Sequence, residues 1–166
     1  MGLKEKLPIV QPTPVACDCD RCRNLCRTDE TFPGVPTLRE AIQLVAQGKS
    51  DDLELDYWYL GNRSIWYLRP APRNNRGSTQ PGWFSGRTGV CSLWDDERRC
   101  TVHGTGAKPA ECRAAGCAAN YVYTEEGHKE FMRWKEAAII RSWDSARGEA
   151  LTEAWRQKQY MKRGDA

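Results

Sequence analysis

Leu38, Ala41, Ile42 and Val45 recur at helical spacing and would share one face of a helix. Thr37-Leu38-Arg39-Glu40 at the start of that pattern forms a capping box, in which the hydroxyl serves amides left bare at a helix start and Glu40 reaches back. Pro33 and Pro36 bar a helix before that point and Gly48 supplies a left-handed stop, so the pattern predicts a helix over 37–47. The period then changes. ELDYWYLGNRSIWYLR, residues 54–69, holds two aromatic and β-branched runs around Gly61-Asn62 and predicts a hairpin.

The following stretch, RPAPRNNRGSTQPGWFSGRTG, is dense in Pro, Gly, Asn and Ser and predicts a long loop. VCSLW, DDER and RCTVH predict a second hairpin, and a register with Leu93 opposite Cys100 would place the thiols of Cys91 and Cys100 on one face. Pro109 opens a short helix to about residue 119, and Thr124 caps a long one to about residue 162. On that last helix Phe131, Trp134, Ala138, Ile139, Trp143, Ala146 and Ala150 form a drifting apolar stripe, expected to pack against the cysteine-bearing half, with Gly148 as its weak point. These elements predict an α+β fold: one small metal-stapled domain over 1–166, with a cysteine-cluster core at 17–117 and a helical segment at 124–162.

Composition narrows the function classes. With 25 basic and 22 acidic residues the net charge is +3, too small by itself to imply a polyanionic partner. No stretch is apolar enough for a membrane span, the mean hydropathy is −0.72, and no membrane partner is expected. The opening residues MGLKEKLPIVQPTP lack the apolar run of a secretory signal, so the expected location is cytoplasmic. In that reducing setting eight cysteines point to metal or catalysis, whereas export would restore disulfides as the first explanation.

The cysteines fall into two groups of four: Cys17, Cys19, Cys22 and Cys26, then Cys91, Cys100, Cys112 and Cys117. A C-x2-C pair can bend a turn so that both sulfurs reach one ion, and soft thiolates select zinc, Cu(I) or iron–sulfur centres over magnesium or calcium. Arg21, Arg23, Arg27, Arg98, Arg99 and Arg113 stand beside these thiols in sequence and are expected to lower their pKa values, as is the first helical turn for Cys112. Residues 17–26 carry only one large apolar side chain, Leu25, so burial there without a metal has little driving force. The bacterial ferredoxin pattern C-x2-C-x2-C-x3-C-P fits poorly, because the first gap holds one residue and Arg27 stands in place of the proline. The expected cofactor is zinc or iron, the iron alone or in an iron–sulfur cluster.

These motifs resemble the YkgJ-type cysteine-cluster family, described as zinc- or iron-chelating proteins, over residues 17–117. Cys19, Cys22 and Cys26 match three positions of its C-x2-C-x2-C-C signature, with Leu25 in place of the remaining cysteine and Cys17 as an additional thiol. Cys91, Cys100-Thr-Val-His103, Pro109-Ala-Glu-Cys112-Arg113 and Cys117 resemble its later elements, although Lys108 precedes the proline and the segment between Cys100 and Pro109 is long. The resemblance implies metal or cluster binding. Through relatives connected with protein methylation, as of flagellin lysines, it also implies an accessory role in a protein-modifying enzyme, hence a protein partner.

A different reading is a zinc-stapled nucleic-acid binder. Residues 57–94 hold Arg63, Arg69, Arg73, Arg76 and Arg87 and no acid, interleaved with Trp66, Tyr67, Trp83 and Phe84. The plainer account makes the aromatics hairpin core and the arginines its solvated rim. His103 could serve as ligand or general base, but a lone histidine at a strand end is more often an ordinary hydrogen-bonding residue, and His128 has no distinguishing neighbour. No nucleotide-binding glycine pattern is present, so self-contained catalysis is not expected.

Overall fold

The predicted capping box opens helix α1, Leu38–Ala46: the Glu40 amide donates to the Thr37 hydroxyl at 3.3 Å and the Thr37 amide donates to the Glu40 carboxylate at 2.8 Å. The structure, a computed structural model, describes residues 26–27, 33–81, 88–114 and 124–164. Gly48, at φ 75°, takes the chain off α1 into a short 3-10 turn at Ser50–Asp52. Ala41 and Leu44 are fully buried, and Ile42 and Val45 pack partly against the same core.

Strands β1, Leu53–Leu60, and β2, Arg63–Pro70, form the predicted hairpin, with Gly61 at φ 65° supplying the positive φ that a tight hairpin turn needs. The register sets Leu55 opposite Leu68, Asp56 opposite Tyr67 and Glu54 opposite Arg69. One face carries the buried Leu53, Leu55 and Leu68. The alternation L-E-L-D would ordinarily leave the other face wet. Here Glu54, Asp56 and Arg69 on that face are buried too, and the charges compensate across the strands: the Arg69 guanidinium lies 2.6 Å from Glu54 and 3.0 Å from Asp56.

The second hairpin, β3 at Trp94–Asp95 and β4 at Arg99–Cys100, pairs Trp94 with Cys100 rather than Leu93 with Cys100. The Asp95 carboxylate sets this turn by accepting from the amides of Glu97 at 2.9 Å and Arg98 at 2.7 Å, and Arg99 completes it at φ 64°. Cys91 lies outside the ladder and bridges Pro72 instead. Helix α2, Ala110–Cys112, follows Pro109, and the end of the predicted short helix, 115–119, lies outside the described residues.

The continuous C-terminal helix expected from 124 is interrupted. Thr124 caps α3, Glu125–Lys135, its hydroxyl accepting from the Gly127 amide at 3.0 Å. A π-helical turn, Glu136–Ile140, leads into α4, Arg141–Trp143, and a second long helix, α5, runs Ala146–Gly164. The extra residue of the π turn rotates the apolar stripe, so Ile140 is buried while Ala138 is exposed. The break falls at Asp144–Ser145, ahead of Gly148, because the Ser145 hydroxyl accepts from the Gly148 amide at 3.1 Å and starts a new helix. Helix α5 therefore buries Gly148, Thr152, Trp155 and Gln159 in place of Ala146 and Ala150.

Phe131, Trp134, Trp143 and Trp155 nevertheless join the apolar cluster that holds Cys91 and Val102. Two buried indoles fasten these helices to the rest: Trp143 Nε1 donates to the Pro36 carbonyl at 2.9 Å and Trp155 Nε1 to the Ser50 carbonyl at 2.8 Å. Among the described residues, no helix is long and apolar enough to cross a membrane.

Candidate metal centre

Three segments meet around the downstream cysteines. Cys26 lies in a helical turn, and its carbonyl accepts from the Cys91 amide at 2.9 Å, tying the N-terminal group to the middle of the chain. Cys91 is held further by its bridge to Pro72 and by the Ser92 amide, which donates to the Ala71 carbonyl at 2.8 Å. Cys100 closes β4, and Cys112 ends α2.

Cys112 is set in place by the chain on both sides. The Val35 amide donates to Glu111 Oε2 at 2.7 Å, so residues 33–36 run alongside α2. Gly34 fits there only because it lacks a side chain: a Cβ would stand 2.6 Å from the Cys112 sulfur. From α1, the buried Glu40 accepts from the Ala110 amide at 2.9 Å and pairs with Arg113 at 2.6 Å. The capping-box glutamate thus also anchors the P-x-x-C-R segment, a second role that the capping pattern alone does not disclose.

Ionised Cys112 would be repelled by Cys26 and Cys100, and ionised Cys91 by Cys112 and Cys100, so these thiols lie within electrostatic range of one another. Burial is the main cause that raises the pKa of both Cys91 and Cys112 well above the ordinary thiol value, and the neighbouring sulfurs add to it. The expectation of an arginine-lowered thiol pKa is therefore corrected for Cys112, which stands beside Arg113. Arg113 points its guanidinium at Glu40 and the Lys108 carbonyl rather than at the sulfur, and Lys108 only partly offsets the burial of Cys112.

The donors are soft, which suits zinc or an iron–sulfur centre. Yet among the described residues no group of three or more Cys, His, Asp or Glu forms a site that could hold an ion. Cys17, Cys19, Cys22 and Cys117 lie outside the described residues. His103 accepts at Nδ1 from the Lys108 ammonium, 3.0 Å away, and His128 lies exposed in the first turn of α3.

The arginines of the nucleic-acid reading are engaged within the fold. Arg63 pairs with Asp144 at 2.5 Å, Arg69 is buried between Glu54 and Asp56, Arg73 donates to the Trp94 carbonyl at 2.6 Å, and Arg76 pairs with Asp52. Arg87 lies outside the described residues. No family model, no curated protein and no solved structure matches the chain, so its likeness to the cysteine-cluster family rests on the residues quoted for it.

Proposed function

We propose that this chain is a cysteine-cluster protein that holds zinc or an iron–sulfur cluster through thiolates drawn from both ends of its 17–117 core. The observation that carries the reading is the return of the chain at Cys91 to Cys26, whose carbonyl accepts from the Cys91 amide, with Cys100 and Cys112 within electrostatic range of these thiols although remote in sequence. The ligands would be chosen from these four together with Cys17, Cys19, Cys22 and Cys117. Bound there, the ion or cluster would cross-link the N-terminal group, the second hairpin and α2, and its binding free energy would appear as folding free energy. Because burial favours the neutral thiols of Cys91 and Cys112, loading at these positions would displace protons. A cytoplasmic setting, where thiols stay reduced, suits this chemistry. No reaction is assigned; an accessory role beside a protein-modifying enzyme rests on the family likeness alone.

The test is metal and sulfide analysis, with an absorption spectrum, on protein purified without oxygen. Iron with sulfide and broad visible absorbance supports a cluster, and stoichiometric zinc in a colourless protein supports a structural ion. Protein that folds with neither, and takes up neither on reconstitution, contradicts the reading.

A further inference from the structure

Beside α2 the described residues line a cavity of about 450 Å³. Tyr57, Trp58, Tyr59 and Tyr67 give it an aromatic wall. Two carboxylates and two cations also reach it, and each carboxylate is already paired: Asp56 lies 3.0 Å from Arg69 and Glu111 lies 2.8 Å from Lys135. A charged ligand would have to compete with one of these pairs, so the lining favours an uncharged, apolar occupant.

The aromatic wall is held in place and extends outward. The Trp58 indole donates from Nε1 to Glu136 Oε2 at 3.3 Å, and the Lys135 ammonium stands 5.3 Å from its ring centroid. Lys135 ends α3 and Glu136 begins the π turn, an uncommon winding that is frequent at functional sites. Tyr57 meets Tyr59 at 5.2 Å and Trp66 at 5.0 Å between ring centroids, which carries the aromatic surface out to the exposed Tyr59 and Trp66.

The chain itself holds a segment of matching chemistry. Residues 7–16, LPIVQPTPVA, lie outside the described residues; the stretch has no charged side chain and contains Pro8, Pro12 and Pro14. Proline fixes φ and so lowers the entropy lost on docking, and extended proline-bearing segments are bound in aromatic-lined grooves. Ala16 precedes Cys26 by ten residues, a tether of up to about 33 Å. Cys26 in turn lies within electrostatic range of Cys112, which follows Glu111 of the cavity wall, so the tether is long enough.

We propose that this cavity docks residues 7–16 of the same chain, with proline rings against Tyr57, Trp58 and Tyr59. The proposal is independent of which metal the cysteines hold.

The test is fluorescence anisotropy of a labelled synthetic peptide of residues 7–16, titrated with the full chain and with a full-length variant carrying Pro8→Ala, Pro12→Ala and Pro14→Ala. The peptide should bind the variant saturably and wild type about tenfold more weakly, because the tethered segment competes at high effective concentration. Tyr59, 65% exposed, can be removed with little effect on folding, and Tyr59→Ala added to the variant should weaken peptide binding about threefold. A peptide with alanine in place of its three prolines should not bind. If the triple variant does not fold, hydrogen exchange decides: Tyr59→Ala should speed exchange of the amides within residues 7–16 relative to wild type. No saturable binding to the variant, equal binding of the alanine peptide, no loss with Tyr59→Ala, or unchanged exchange overturns the proposal. Equal binding to wild type and variant also overturns it, since the cavity would then be open to a peptide from another chain.

Discussion

A Cβ built on Gly34 would lie 2.6 Å from the Cys112 sulfur and 2.9 Å from the Cys112 amide nitrogen, so the segment before α1 can lie against α2 only with glycine at this position. Gly34→Ala should force α2 and its thiol outward. We expect a stability loss of about 1–3 kcal/mol, typical of overpacking, and a fall in bound metal. Thermal melting and metal content of the variant check this; wild-type values for both would remove Gly34 from the account.

Gly148→Ala separates packing from helix propensity. In a helix interior alanine normally gains about 1 kcal/mol over glycine. At this position the new Cβ would stand 2.3 Å from the Trp143 carbonyl oxygen, a backbone atom that cannot swing aside. The variant should therefore lose about 1–3 kcal/mol in urea unfolding, where propensity alone predicts a gain.

Glu40 joins the start of α1 to the α2 segment by accepting from the amides of Thr37 and Ala110 and pairing with Arg113. Glu40→Ala should cost about 3 kcal/mol, since it strands a buried charge partner and an amide together. Thr37→Ala removes only the cap and should cost about 1 kcal/mol. Equal urea midpoints for the two variants would show that Glu40 does no more than cap α1.

Burial, opposed in part by Arg69, raises the pKa of Glu54 above its ordinary 4.5 and that of Asp56 above its ordinary 3.8. A carboxylate with a raised folded pKa lends stability below its unfolded pKa and loses it as pH rises through the folded value. Glu54→Gln imitates the protonated form and keeps an oxygen for the Asn75 amide, which donates to Glu54 in the wild type. The stability of Glu54→Gln relative to wild type should accordingly rise as pH increases upward from about 4. Urea midpoints measured across that range check the sign, and a relative stability that falls instead would show that the Arg69 pairing outweighs burial.

Much of the fold can be read from local signals. The capping box at Thr37, the Gly61-Asn62 turn and the Thr124 cap each act within a few residues, and each element starts where its signal says. Tertiary effects were harder to read. The L-E-L-D alternation of β1 does not reveal that its polar face is buried, because that depends on Arg69 arriving from the neighbouring strand. The apolar stripe from Phe131 onward runs on without a visible stop, since the π turn and the Ser145 cap shift the face by changes in helical winding. At the candidate centre the cysteine spacing marks the chemistry, but the thiol environment follows burial and not the arginines adjacent in sequence, as Arg113 turning to Glu40 demonstrates.

The central claim is that both cysteine groups serve one site. It is tested most directly by the metal content of Cys26→Ser, Cys112→Ser and the double variant, all purified without oxygen. Serine is a harder and poorly ionised ligand, so each change should release metal. The account predicts that each single variant loses the same ion or cluster and that the double variant loses no more than either one. Losses that add, each substitution removing a separate ion, or three variants that all keep the wild-type content, would contradict it.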